Sequence, residues 1–136
     1  MAANQVTPLK FVYGGKVVRV VIVDSEPWFV AQDVYGALNI VHCGPVYNRL
    51  DDYEKQVVVL ADEKTSRIVI SKSGFCSVVY FSGAPNSAEF RRWIWREVIP
   101  SPCVQQHIMM DQFINDPDFA IRKLTELKNS RPNHNV

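Results

Sequence analysis

The sequence predicts an α+β fold in which two small β-hairpins pack with short helices and a further helix follows toward the C-terminus. Two pairs of β-branched runs, each joined by turn-forming residues, predict the hairpins. Between and after these runs, apolar residues recur at helical spacing. A chain of 136 residues has room for one domain with an appended helix.

The first hairpin is predicted over residues 11–23. Two runs rich in valine flank Gly14 and Gly15, and glycine adopts the positive φ angles that a tight hairpin turn requires. The turn at 24–27 ends the second strand. Because Pro27 cannot donate to a strand ladder, a new short element begins at 28–30.

Two short helices are predicted after this element. Four apolar residues at spacings i, i+4, i+7 and i+8 predict a helix over 31–38, and Asn39 is a plausible end. A second short helix is expected from Pro45, since proline favours the first helical turn. The pair is compatible with a helix-turn-helix and with a plain αα corner, and the lack of a basic second helix favours the corner.

The second hairpin is predicted from the runs VVVLA at 57–61 and RIVIS at 67–71. The residues that follow, 73–81, fit two structures. Valine, tyrosine and phenylalanine favour a strand. The helical spacing of Phe75, Val78, Val79 and Ser82 favours a helix.

A longer helix is predicted over 87–99, with Ser87 as N-cap and Pro100 as its end. Its predicted apolar stripe consists of Phe90, Trp93, Ile94 and Val98. Ser101 and Pro102 are then expected to break the chain. These boundaries give one domain over residues 8–103.

The remaining segment, 104–130, is predicted to be a linker followed by an amphipathic helix. Asp116 is the candidate N-cap and Pro117 the first helical residue, and the helix extends to about Lys128. A helix of about 12 residues is not stable alone in water. We therefore expect homo-oligomerisation or partner binding through its apolar residues, chiefly Ile121, Leu124 and Leu127.

Composition and charge limit the function classes. Lys and Arg number 15 against 14 Asp and Glu, and the net charge of +1 gives no whole-chain argument for a nucleic-acid partner. Three cysteines without paired spacing do not predict a disulfide framework. A polar N-terminus and the lack of an apolar run of about 18 residues predict a soluble cytoplasmic protein without a membrane partner.

Two separated motifs resemble the Bro-N domain, which opens the baculovirus repeated-ORF proteins and many phage and prophage antirepressors. The first is EPWFVA at 26–31, followed by Asp33-Val34 and Ala37-Leu38. The second comprises residues similar to the family's "ISESG" segment at 70–75 and to its "A-x-x-F-x-R/K-W" helix, which starts at Ala88 and continues to the Pro-Ser pair at 100–101. The resemblance covers residues 8–101, and the tail at 111–128 is similar to the short helix that follows the domain in phage antirepressors.

The resemblance implies an α+β fold, a helix over 74–82 and a non-enzymatic regulator of phage or viral gene expression in the bacterial host cytoplasm. Family members are associated with DNA binding and with neutralising phage repressors. Here the segments 81–85 and 102–105 lack the positive charges that the family often carries. We therefore expect a phage repressor protein as partner, with direct DNA binding as the alternative. A third class is an inert part of a larger protein whose function lies in a C-terminal region.

The candidate partner- or DNA-binding residues are Arg91, Arg92, Trp95 and Arg96. Guanidinium groups bind phosphates or carboxylates in a bidentate manner, and an exposed tryptophan can stack on a base or anchor a protein contact. The alternative is a solvated helix face on which these arginines pair with Glu89 and Glu97.

Catalytic, metal and cofactor sites are not expected. Cys103 and His107 have the i, i+4 spacing of half a zinc site, but nothing in the sequence completes it. Asp33 follows a predicted strand-to-helix junction, where capping of the first turn or interaction with the helix dipole is the expected role. The aromatic residues Trp28, Phe29 and Trp93 are expected in the core.

Overall fold

A computed structural model describes residues 5–41 and 43–115, together with the single residues 118, 121, 122 and 125. It contains six strands and five helices in the described part. The strands are β1 (Gln5–Val6), β2 (Leu9–Tyr13), β3 (Lys16–Val23), β4 (Glu26–Val30), β5 (Lys55–Leu60) and β6 (Thr65–Ile70). The helices are α1 (Ala31–Ala37), α2 (Cys43–Asn48), α3 (Lys72–Ser82), α4 (Ser87–Trp93) and α5 (Pro102–Asn115), with a 3₁₀ turn at Asp52–Glu54 and a π turn at Ile94–Val98.

The strands form one curled sheet in the order β1-β5-β6-β4-β3-β2. Both predicted hairpins are present, as β2–β3 and β5–β6, and β4 joins them by pairing with β3 on one side and β6 on the other. All pairs are antiparallel except the short β1–β5 pair. The predicted α+β class is therefore confirmed, with the two hairpins united in a single sheet.

The turns of the first three long strands use positive φ angles. Gly14 and Gly15 have φ angles of 55° and 83°, as expected for the hairpin turn. Asp24 and Ser25 adopt φ angles of 51° and 64° without glycine. A contact from α5 supports this second turn, because the Asp111 carboxylate accepts a hydrogen bond from the Ser25 backbone N–H.

The hydrophobic core lies on both faces of the sheet. The larger cluster joins sheet residues such as Phe29 and Ile70 to the helices through Phe75 and Phe90. The smaller cluster is aliphatic, and all its members are almost completely buried. It consists of Val21, Val30, Val58, Leu60 and Val69. The curl brings β1 into contact with β3 beside this cluster, so the second face is also closed.

Helix α3 settles the segment that fitted two structures from its residues alone. Ser71 caps the helix by accepting a hydrogen bond from the Gly74 backbone N–H, and Gly83 ends it with a left-handed φ of 65°. A Cβ on Gly74 would lie 2.8 Å from the Glu54 carbonyl oxygen, so the helix approaches the 3₁₀ turn as closely as glycine allows. Helical spacing buries Phe75 and Val78, and it prevails over strand propensity here.

Helix α1 begins at Ala31 and ends before Asn39, as predicted. Asn39 has a left-handed φ of 57° just after its end. The N-cap of α1 is Val30 without a side-chain cap, so of the two roles expected for Asp33, capping is excluded and interaction with the helix dipole is not. Asp33 still lies in the first helical turn, and its carboxylate accepts hydrogen bonds from Arg19 on β3 instead.

The predicted helix over 87–99 is present as α4 and the π turn. Asn86 occupies the N-cap position, so Ser87 is the first helical residue. A further helix, α5, follows where a break and a linker were expected, and this expectation is wrong. Ser101 accepts a hydrogen bond from the Val104 backbone N–H, and Pro102 occupies the first turn, so the pair starts a helix instead of ending one.

The expected tail helix lies mostly outside the described residues. Asp116, Pro117, Leu124 and Leu127 belong to the part of the chain that is not described. Ile121 is described, and its side chain is 62% exposed. The predicted oligomerisation residues therefore remain a prediction.

Candidate interaction surface on helices α3 and α4

The three predicted arginines lie on one helical segment. Arg91 and Arg92 belong to α4 and Arg96 to the π turn, and all three are exposed. Five ion pairs join charged residues within the described ranges, and none includes these arginines or Glu89 or Glu97. The pairing expected for a merely solvated face is thus not found there. The three guanidinium groups face solvent without a carboxylate partner among the described residues.

Trp95 is less accessible than the sequence predicts. Its side chain is half-buried against the larger core cluster, with its ring centroid 5.9 Å from that of Phe75 on α3. Helical spacing places Trp95 off the buried stripe of Phe90, Ile94 and Val98, but α3 packs against this flank of the segment and its Phe75 ring covers part of the Trp95 side chain.

An aromatic pair that the sequence did not single out lies at the end of α3. Tyr80 is 81% exposed and Phe81 is 43% exposed. Their ring centroids are 5.0 Å apart in an edge-on arrangement. Arg49, just after α2, places its guanidinium carbon 4.5 Å from the Phe81 ring centroid, within cation–π range.

Two grooves flank this aromatic pair. The first, about 560 Å³, runs between α3 and α4 and is lined by Cys76, Val79, Tyr80, Ser87, Ala88 and Arg91. The second, about 480 Å³, lies between the α1–α2 connection and the α3–α4 loop, and includes Val41, Val46 and Phe81. Tyr80 thus borders one groove together with Arg91, and Phe81 borders the other.

We call Arg49, Tyr80, Phe81 and Arg91 the aromatic–arginine surface. It joins exposed apolar rings to guanidinium groups, and both Tyr and Arg are enriched among the residues that dominate binding energy at protein interfaces. Exposed apolar patches bordered by polar groups commonly mark interaction sites. The sequence could have revealed this surface only after α3 was assigned as a helix, because a strand would place Tyr80 and Phe81 on opposite faces.

The family comparison adds to this geometry. The sequence profile of the BRO family, N-terminal domain (Bro-N), matches residues 17–100. The chain belongs to the Bro-N family. The match begins in β3 and ends just after the π turn, so it contains the aromatic–arginine surface. No curated protein and no solved structure matches the chain.

The described part of this Bro-N protein contains neither a metal-binding cluster nor a helix that could span a membrane. Within the described ranges, no group of three His, Cys, Asp or Glu residues is arranged to hold a metal ion. The His107 ring nitrogen Nδ1 lies 2.9 Å from the Cys103 carbonyl oxygen, so the backbone already occupies that nitrogen. Among the same residues, no helix has both the length and the apolar composition needed to cross a bilayer.

Proposed function

We propose that this Bro-N protein is an antirepressor-type regulator of a phage or prophage. It acts without enzymatic activity by binding a phage repressor protein and inactivating it, which allows lytic genes to be expressed. The Bro-N domain is found in phage antirepressors and in baculovirus BRO proteins. The observation that carries the proposal is the aromatic–arginine surface, in which Tyr80 is 81% exposed beside Arg91.

The chemistry of this surface favours a protein partner. Tyr80 and Phe81 offer apolar area that a partner would remove from water, which stabilises a complex in proportion to the area covered. Arg49 and Arg91 have no ion pair among the described residues, so carboxylates of a partner can pair with them. The net charge of +1 adds little general attraction for nucleic acid.

One observation supports direct DNA binding as a second candidate. Arg91, Arg92 and Arg96 are exposed on one helical segment without carboxylate partners among the described residues. Guanidinium groups are among the donors that commonly contact DNA phosphates. Under this alternative, the chain would contact DNA through the same helical segment that contributes Arg91 to the aromatic–arginine surface.

Release of a repressor from its operator separates the two candidates. A repressor encoded beside this gene would be bound to a fluorescent operator duplex, and the full chain would then be added. Antirepression predicts that anisotropy falls to the value of free DNA, because the repressor leaves the duplex. If anisotropy rises instead, and the chain binds the duplex without repressor, the DNA-binding candidate replaces the first.

We further propose that the chain self-associates through the predicted tail helix. Met110 and Ile114 on α5, and Ile121 beyond it, are more than half exposed. Fully burying a large apolar side chain contributes about 1.5–3 kcal/mol. Light scattering at tens of micromolar should show an oligomer for the full chain and a monomer for Ile121→Glu. Equal masses would contradict this assembly.

A further inference from the structure

Most of the aromatic–arginine surface comes from two stretches of chain that contain no carboxylate. Residues 34–50 and 72–88 have no Asp or Glu, although the whole chain has 14 such residues. The first stretch supplies Arg49 and the second supplies both aromatic residues, and Arg91 follows on α4. The two grooves beside the aromatic pair, of about 560 Å³ and 480 Å³, are also lined without an acidic residue. This face is therefore positively charged, although the chain as a whole is almost neutral.

The acidic residues that follow these stretches do not neutralise the face. The carboxylate of Asp51 lies beside the hydroxyl group of Tyr53, whose pKa it raises. Glu89 is two residues from Arg91 on α4, so the two side chains are about 200° apart around the helix and do not face each other. No ion pair among the described residues includes Arg49 or Arg91.

The shape of the surface suits a partner that carries apolar side chains between acidic ones. The aromatic pair lies between the two grooves, and each groove has apolar residues, such as Val79 in the first and Val41 in the second. Arg91 borders the first groove. Arg49 lies over the Phe81 ring, which borders the second. Guanidinium groups thus stand at both grooves, next to apolar area.

We propose that the aromatic–arginine surface binds an acidic segment of the repressor, on a face of the repressor that does not contact DNA. This inference rests on the antirepressor function proposed above and specifies the region of the repressor that is bound. Carboxylates of the segment pair with Arg49 and Arg91, and its apolar side chains enter the two grooves.

The operator-contacting face of the repressor is excluded by its charge. A protein surface that contacts DNA is rich in Lys and Arg, because it neutralises phosphates. Such a face and the aromatic–arginine surface are both positive, and like charges at an interface disfavour a complex. The chain therefore inactivates the repressor from another side, without taking the place of the operator.

This position has a kinetic consequence. A protein that competes for the operator-contacting face captures only repressor that has already left the DNA, so it cannot make the operator dissociate faster. A protein that binds another face contacts the repressor while it is still on the operator. The rate of operator release then rises with the concentration of the chain.

Stopped-flow measurement of operator release tests this consequence. The repressor encoded beside this gene would be bound to a fluorescent operator duplex, and an excess of unlabelled operator would give the unassisted release rate. The full chain, added at increasing concentration, should raise the rate above that value. A rate that equals the unassisted one at every concentration would mean that only free repressor is captured, and would overturn the proposal.

Charge-reversed variants test the acidic segment. Arg49→Glu and Arg91→Glu should each weaken binding to the repressor by about tenfold or more, because the new carboxylate repels the segment. Lys64→Glu is the matched control, because it changes the net charge equally, is exposed in the β5–β6 turn and lines neither groove. Calorimetry should give the parent affinity for this control, and all three variants should keep the parent melting temperature.

The outcomes separate this inference from the function on which it rests. If the chain releases the repressor but Arg49→Glu and Arg91→Glu bind as the parent does, or if Lys64→Glu weakens binding equally, antirepression stands and the acidic-segment contact is refuted. Tighter binding of the two arginine variants would place the contact on a positive face of the repressor and would also refute it. If the full chain neither binds nor releases the repressor, the proposed function fails and this inference fails with it.

Discussion

Arg19 on the sheet and Arg91 on helix α4 carry the same guanidinium group in opposite surroundings. Arg19 is only 12% exposed and contacts both oxygens of Asp33, and it also reaches Glu63 at 2.9 Å. Arg91 is exposed and forms no ion pair within the described ranges. The first arginine holds β3, α1 and the β5–β6 turn together, whereas the second is the one for which we propose a partner contact.

The two arginines differ in pairing and not in residue type, and it is the pairing that gives Arg19 its structural role. The hydrogen bond to Asp33 is the main reason that the pKa of Arg19 is raised above its ordinary value. A base with a raised pKa in the folded state stabilises the fold below its unfolded pKa and loses that contribution only above it. The Arg19 guanidinium therefore contributes throughout the neutral range, and only strongly alkaline pH would remove its charge.

Breaking the ion pair between Arg19 and Asp33 should change the free energy of unfolding more than any other substitution proposed here. In Asp33→Asn, Arg19 loses a carboxylate that accepts three of its hydrogen bonds, including that of its backbone N–H. We expect a loss of about 2–3 kcal/mol in the free energy of unfolding, since the remaining charge is mostly buried. Urea titration measures it.

The exposed pair Lys72–Glu26, 3.7 Å apart, provides the control for this prediction. Lys72→Ala should cost less than about 1 kcal/mol, as is usual for surface ion pairs. If Asp33→Asn lowers the free energy of unfolding no more than Lys72→Ala does, the ion pairs of Arg19 do not stabilise the fold appreciably.

A Trp95 variant tests whether this residue of the π turn has a structural role, like Arg19, or contacts a partner, as proposed for Arg91. Since its ring packs against Phe75, Trp95→Ala should lower the free energy of unfolding by about 2 kcal/mol, less than the cost of removing a fully buried aromatic residue. Thermal and urea unfolding measure this. A variant with unchanged stability and weakened partner binding would instead make Trp95 a recognition residue, as the sequence alone suggested.

These elements show how much the sequence could predict. The hairpin at Gly14 and Gly15 was predictable, because its turn chemistry is local. Helix α3 was ambiguous from its own residues, because its cap at Ser71 and the close approach of Gly74 to Glu54 are tertiary features. Helix α5 differs from the prediction because Pro102 is compatible both with a break in the chain and with the first turn of a helix, and the structure has the helix.

The candidate site was only partly predictable, because local spacing is visible in the sequence and tertiary contacts are not. The exposed arginines of α4 follow from local spacing and were found. Trp95 is less exposed than predicted because its cover comes from Phe75 on α3, a tertiary contact that helical spacing does not reveal. Tyr80 and Phe81 are not singled out by the sequence even with a helix expected over 74–82, because their exposure depends on how α3 packs against its neighbours.

Removing the exposed Tyr80 ring should weaken binding to the repressor and leave the stability of the fold almost unchanged. Tyr80→Ala is expected to weaken the repressor complex by about 2 kcal/mol, the lower limit for a hot-spot residue, with a change in stability below about 0.5 kcal/mol. Tyr53→Ala is the matched control, because Tyr53 is 72% exposed and lies in the 3₁₀ turn before β5. Calorimetry on both variants should show a loss only for Tyr80→Ala, and equal affinities would contradict the surface assignment.

The smallest effect is expected with duplex DNA. Arg91, Arg92 and Arg96, which have no ion pair among the described residues, should give only weak binding on a chain with a net charge of +1, with a dissociation constant of about 10⁻⁴–10⁻⁶ M at physiological salt. Arg92→Ala and Arg96→Ala should each lower the slope of log affinity against log salt by about one, because each removes one phosphate contact. Asp33→Asn should leave that slope unchanged if it stays folded, since Arg19 is retained by Glu63. Nanomolar, strongly salt-dependent binding would instead show that Arg91, Arg92 and Arg96 contact DNA. The exposed face of α4 would then be a nucleic-acid surface.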